Sequence, residues 1–200
     1  MKAIKYQLLI GLLSLFPVSA SALFKLGVQG GLNLSSVSSD TAISGLANRN
    51  GLMAGAFLEL DTGSFFSIQP ELNYIQKGYT YLSGTTTTVA KVDFIEIPVF
   101  LRLNLPIPII SPYLFAGPAF GFRTKAESDL GSGTPTDIST TVEKNDISAA
   151  IGGGVDMSIA PLISLFANGR YSIGLKDIDT SATVAKTKGF QILAGLAFGI

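Results

Sequence analysis

SFFSIQPELNYIQKGYTYLSGTTTTVAKVDFIEIPVFLRLNL, residues 64–105, contains two runs in which apolar side chains recur at every second position. In the first run Phe66, Ile68, Pro70, Leu72 and Tyr74 form one face. Ser67, Gln69, Glu71, Asn73 and Lys77 form the other, with Ile75 as the exception. In the second run Ile95, Ile97, Val99, Leu101 and Leu103 align, against Glu96, Arg102 and Asn104 with Phe94, Pro98 and Phe100 among them. A period of two reads as strand, because successive side chains of an extended chain point to opposite faces. The polar stretch LSGTTTT between the runs reads as a loop. The rest of the chain repeats this arrangement, in which one face lacks charge altogether.

Composition narrows the class. Only 14% of the 200 residues are charged and 47% are hydrophobic, fewer charges than a water-exposed surface normally carries. The formal net charge is +0, which gives nucleic acid no electrostatic reason to bind. The chain contains no Cys and no His, which removes disulfides, thiol chemistry and the commonest general base.

Met1 to Ala22 reads as a secretory signal peptide. Lys2 and Lys5 make a basic start, Leu8 to Phe16 an apolar core, and Ala20-Ser21-Ala22 a small-x-small cleavage site. The apolar run is short for a membrane-anchor helix, and no other stretch is long and apolar enough to span as a helix. Residues 23–200 then form one exported domain. Eight strand-like segments follow, near residues 24–34, 50–60, 64–79, 91–105, 112–124, 145–159, 162–175 and 189–200. Long polar connections alternate with short ones. An even number of strands, alternating loops and an uncharged face together predict an all-β fold: an eight-stranded antiparallel up-and-down transmembrane β-barrel.

The uncharged face runs through Leu26, Val28, Leu52, Leu72, Ile97, Leu114, Ile151, Leu165 and Ile192. The opposite face carries Lys25, Glu59, Glu71, Lys77, Glu96, Arg102, Arg123, Asp146, Asp156 and Arg170. A charge facing lipid at mid-bilayer costs roughly 2–4 kcal/mol, so the uncharged face meets lipid and the charges point inward. A soluble barrel or sandwich would place them the other way round. A barrel of eight strands is narrow enough for its side chains to fill it.

The stretches QPELNYIQKG, DFIEIPVFLRLNL, SPYLFAGPAFGF, DISAAIGGGVDM and RYSIGLKDI, in that order, resemble the PorT-like outer-membrane β-barrel proteins, a "porin family" domain. The resemblance covers about residues 24–200. It implies an eight-stranded barrel in the outer membrane, and for one branch a part in protein secretion. It brings no catalytic residues with it.

The interior charges are the candidate site. Glu71, Glu96, Arg102 and Arg170 are expected to meet in one cross-lumen cluster, with Lys25, Glu59, Arg123 and Asp156 completing an interior network. Unpaired buried charges are costly, so pairing is the expected state. The network reads as a structural plug, with a gate or narrow conduit as the alternative. Acid/base catalysis by two carboxylates needs a cleft that eight strands do not provide. No enzyme constellation, cofactor or metal site is expected. Asp177 and Asp179 offer carboxylates for weak Ca²⁺ binding, but they read better as a solvated loop. Gly152-Gly153-Gly154 lacks the Lys-Ser/Thr of a phosphate loop. Pro70, Pro98 and Pro118 sit inside strand patterns, where a missing N–H must be accommodated. In the last run, Gly195, Phe198 and Ile200 have the spacing of a C-terminal signal read by the barrel assembly machinery. The expected partners are outer-membrane lipid and lipopolysaccharide, that machinery, and envelope or secretion proteins at the polar loops. A small-solute porin or secretion component is the alternative function.

Overall fold

The computed structural model describes residues 24–39, 46–63, 65–83, 86–105, 107, 109–129, 135–175 and 185–200. The expected signal peptide and the pair Asp177 and Asp179 lie outside these residues. Eight long strands are β1 (Phe24–Ser39), β2 (Leu46–Asp61), β3 (Phe66–Ser83), β4 (Thr86–Asn104), β5 (Ile110–Asp129), β7 (Asn145–Ala160), β8 (Ile163–Gly174) and β9 (Ala185–Gly199). A two-residue strand, β6 (Thr136–Asp137), pairs with the loop end of β5. Each long strand is hydrogen-bonded antiparallel to its neighbour in the chain. Pairing of β1 with β9, from Lys25↔Gly199 to Ser39↔Ala185, closes the sheet. This is the expected closed barrel of eight antiparallel strands, and closure leaves no sheet edge for lipid to meet.

The side-chain alternation sorts as expected. Leu26, Leu72, Leu101, Leu114, Ile151 and Ile192 face outward and are exposed, while Glu59, Glu71, Glu96, Arg102 and Arg170 are buried inside. Short connections lie at one end, the turn end, together with Phe24, the first described residue, and Ile200. At the first of these turns Gly63 adopts φ 73° and its N–H donates to Asp61 Oδ1 at 2.9 Å. Such a left-handed conformation is accessible to glycine at little cost.

Several strands are longer than their hydrophobic pattern. Thr80–Ser83 and Thr86–Ala90, expected within a polar loop, instead continue the β3–β4 ladder as far as Ser83↔Thr86. The reason is chemical. Thr and Tyr favour extended backbone while being polar, so the ladder persists where the apolar stripe ends. A transmembrane strand needs about 9–11 residues, and β3 has 18. The surplus projects past the apolar band at the loop end.

The three prolines are accommodated by interruptions of the ladder. Paired residues are missing between Phe57↔Glu71 and Leu60↔Ile68 beside Pro70. They are missing between Pro70↔Val99 and Asn73↔Glu96 beside Pro98, and between Pro98↔Ala119 and Leu101↔Ala116 beside Pro118. Each gap falls where a proline has no N–H to give. The β4–β5 register shift lies between Asp93 and Phe94, opposite Thr124.

Candidate functional site

The interior is built from charged and amide side chains on alternate positions of all eight long strands, and it divides into three networks. At the turn end, Arg102 is the hub. Its guanidinium lies 3.5 Å over the centre of the Tyr113 ring. Its Nη1 is 3.6 Å from Glu59 Oε2 and donates to Gln69 Oε1 at 3.1 Å, and its Nη2 pairs with Asp156. Glu59 also accepts from Lys25 Nζ at 3.3 Å and from Ser67 Oγ at 3.0 Å. Two cations and two carboxylates balance here.

The middle network centres on Glu71. Arg170 Nη1 approaches its Oε2 at 2.8 Å, across the barrel from β8 to β3. Gln29 Nε2 and Asn73 Nδ2 donate to Oε2, and Gln69 Nε2 donates to Oε1, each at 2.8 Å. Arg170 Nε donates to Gln191 Oε1 at 2.5 Å. A buried ion pair holds only when its remaining donors and acceptors are also satisfied, and these amides supply that. Gln69 touches both Glu71 and Arg102, so it joins the middle and turn-end networks into one continuous chain.

The third network lies toward the loop end. Lys77 Nζ contacts Glu96 Oε2 at 2.6 Å and Asp146 Oδ2 at 3.0 Å. Glu96 pairs in register with Gly121, and Gly121 with Asp146. Because Gly121 has no side chain, the two carboxylates face the same space, and Lys77 reaches into it. A packed apolar group of Met53, Ile75, Phe94 and Leu193, each at most 2% exposed, fills the barrel beside these charges. Ile138 and Val142, from the segment after β6, pack against the same group from above. This segment is tied down by Ile138 N–H donating to Ala126 O at 3.2 Å and by Arg123 Nη1 donating to Val142 O. At its outer edge, hydrogen bonds from the Ser139 hydroxyl and N–H hold the Asp137 carboxyl below the usual carboxylate range.

The structure therefore corrects the expected arrangement. Glu71 and Arg170 meet, and Arg102 joins them through Gln69. Glu96 belongs to a separate set with Lys77 and Asp146, because Lys77 is long enough to slant along β3 to it. Arg123 leaves the interior network and secures the segment at the mouth. Lys25, Glu59 and Asp156 lie with Arg102 as a group. The interior is also not uniformly polar, since Phe57, Phe100, Tyr113, Phe115 and Phe166 are buried within it. The amides Gln29, Gln69, Asn73 and Gln191 escaped sequence reasoning as site residues. Their inward parity was visible, but neutral side chains carry no charge to flag them. Gly195 faces inward, while Phe198 and Ile200 face outward beside the end of β1.

No curated protein matches the chain in sequence. Among solved structures it resembles Neisserial surface protein A at 16% identity, with 86% of this chain and 96% of that one covered and a TM-score of 0.52. It resembles OprG from Pseudomonas aeruginosa at 8% identity, with 90% and 95% covered and a TM-score of 0.59. A major outer membrane protein from Thermus thermophilus aligns at 9% identity, with 88% and 99% covered and a TM-score of 0.52. These likenesses concern the fold. The family of the outer membrane protein beta-barrel domain matches residues 19–180. A barrel with a lipid-facing apolar wall, a side-chain-filled interior and this family match is an outer-membrane barrel, and the chain belongs to the outer membrane protein beta-barrel domain family.

Proposed function

We propose that this protein is a closed, non-conducting barrel that anchors an extracellular crown of strands and loops, with a structural or interaction role in the cell envelope. The observation that supports this reading is the occupied lumen. Glu71 and Arg170, each with a side chain 1% exposed, meet across the middle of the barrel. Met53, Ile75, Phe94 and Leu193 pack beside the Lys77 set, and Ile138 and Val142 cover the group from the mouth. A solute path would have to break paired buried charges, each break costing several kcal/mol. The reading carries no catalytic role, because Glu59, Glu71 and Glu96 are all held by cations. It includes export by cleavage after Ala22, insertion by the assembly machinery through Gly195, Phe198 and Ile200, and contact of the loops with lipopolysaccharide or envelope proteins.

Planar-bilayer recording of the purified barrel tests the reading. Currents indistinguishable from protein-free bilayer are expected, and stable unitary conductance steps would overturn it in favour of a narrow porin. The PorT-like resemblance adds a second arm. Membership of a secretion assembly predicts that crosslinking in intact cells through the crown captures envelope proteins that are lost when the crown is trimmed.

A further inference from the structure

Among the described residues, the buried side-chain atoms that lack a hydrogen-bond partner are Gln29 Oε1, Asn33 Oδ1, Asp93 Oδ1, Asp146 Oδ1 and Asn168 Oδ1. All are oxygens, so what the buried polar surface is short of is donors. A buried acceptor left without one costs about 1–3 kcal/mol. One of these oxygens is aimed at a gap left by a glycine. Asn33 on β1 is 1% exposed, and its Nδ2 is already committed, donating to Gln76 O at 2.8 Å. Exchanging the two ends of the amide would set oxygen against the Gln76 carbonyl, so that bond sets the orientation. Its Oδ1 then points toward β9, where a Cβ added to Gly189 would lie 3.0 Å from it.

Asn33 and Gly189 both line a cavity at the loop end of the lumen, together with Ser35, Lys77, Ser172 and Gln191. Its volume is about 10 Å³, room for one water molecule. The chemistry of the lining selects the occupant. A lysine ammonium has three N–H donors, and Lys77 spends two of them on Glu96 and Asp146. An anion would meet the acceptor Asn33 Oδ1, and a cation would meet the charge of Lys77. A neutral molecule that donates to Asn33 Oδ1 and accepts from Lys77 Nζ satisfies both. Water does so within this volume, and the hydroxyls of Ser35 and Ser172 bring its partners to the 2–4 usual for a buried water. The cavity also lies between networks. Gln191, on its wall, accepts from Arg170 Nε in the middle network, while Lys77 holds the loop-end set.

We infer that this cavity binds one ordered water molecule, which bridges Lys77 to Asn33 and joins the loop-end set to Arg170 and Glu71 through Gln191. Because Gln69 already connects Glu71 to Arg102, the water makes the polar interior continuous from the turn end to the mouth. Its role is bracing, since it ties the Lys77 ammonium on β3 to the β1–β9 side of the barrel. A held water neither requires nor provides a solute path, so this site stands apart from the function proposed above and the two tests fail independently.

A crystal structure of the folded protein at a resolution that shows solvent tests it, with rubidium bromide soaked into the crystals as the probe for ions. One oxygen-sized peak is expected at hydrogen-bonding distance, about 2.7–3.2 Å, from both Asn33 Oδ1 and Lys77 Nζ, with no anomalous signal from either ion. Gly189→Ala sets a methyl group against Asn33 Oδ1 and is expected to expel the water, with heat-modifiable gel mobility verifying that the variant is folded. Magnetic relaxation dispersion of water, recorded on the protein in detergent, counts long-lived internal waters, and the variant is expected to hold one fewer than wild type. The wild-type map is decisive whether or not the variant folds. Absence of the peak, a rubidium or bromide signal at the site, or an unchanged water count in folded Gly189→Ala overturns the inference.

Discussion

Arg170 on β8 and Glu71 on β3 stand on opposite walls of the barrel, and their side chains meet at 2.8 Å with 1% exposure each. Glu71 also collects donors from Gln29, Gln69 and Asn73. Replacing one partner leaves an uncompensated buried charge. Arg170→Met or Glu71→Met alone is expected to destabilise the folded barrel by about 3–5 kcal/mol. The double variant is expected to recover most of that loss, because a buried pair replaced by packed apolar residues is often neutral. Urea titrations in lipid vesicles, read by heat-modifiable gel mobility, measure this. Additive losses in the double variant would show that the two residues do not act as a pair.

The wall was legible in the sequence and the network was not, for a physical reason. Alternation fixes which face a residue takes, so Glu71, Glu96, Arg102 and Arg170 could be placed inside from residues 64–105 and 162–175 alone. Which of them meet depends on the stagger between strands and on side-chain reach, and neither is written locally. Lys77 reaches Glu96 and Asp146 because Gly121 leaves room between them. Ile75 looked like a break in the pattern, yet it is 0% exposed in the apolar group beside Lys77. Thr86–Thr88 read as loop by polarity, although they pair with Tyr81–Ser83 in the β3–β4 ladder.

Two glycines on opposite faces are expected to respond differently to one methyl group. A Cβ on Gly117 would lie 2.0 Å from Val99 O and 3.0 Å from Phe100 Cα, both backbone atoms that cannot rotate away. Gly117→Ala is expected to cost about 1–3 kcal/mol through forced backbone shifts. On the lipid face, a Cβ on Gly30 meets nothing nearer than Met53 O at 3.8 Å. Gly30→Ala is expected to stay within about 0.5 kcal/mol of wild type. The same urea titration compares them, and equal stability of the two variants would contradict the close approach at Gly117.

Arg123 is expected to govern the segment over the mouth rather than the interior. Its Nη1 donates to Val142 O, and its own N–H donates to Lys144 O at 2.8 Å. Arg123→Ala removes a charge-assisted hydrogen bond but keeps the backbone one. Loss of such a bond, about 1.5–3 kcal/mol, raises the open population of the segment about tenfold or more. Trypsin cleavage at Lys144 in the folded, detergent-solubilised protein is expected to accelerate accordingly, while heat-modifiable mobility is unchanged. A variant cleaved at the wild-type rate would place the restraint elsewhere.

The end of β9 closes the barrel and, on the function proposed above, is also read by the assembly machinery; two variants separate these roles. Phe198 pairs with Leu26 on one side and Ile163 on the other, while Gly199 N–H donates to Leu162 O at 2.7 Å and Ile200 N–H to Phe24 O at 2.8 Å. Deleting residues 198–200 removes the pairs that finish the β1–β9 seam and leaves backbone donors and acceptors facing lipid, each costing several kcal/mol. The deletion is therefore expected to abolish folding both in cells and in vesicles. Phe198→Ala keeps every one of those backbone bonds and removes only an outward ring, 43% exposed, at the turn-end boundary. It is expected to refold in vesicles as wild type but to accumulate poorly in the outer membrane. Gel mobility in vesicles and protease resistance in membranes report the two outcomes. A deletion variant that still forms a heat-modifiable, protease-resistant barrel would refute the closure role, and normal membrane levels of Phe198→Ala would refute recognition through the ring.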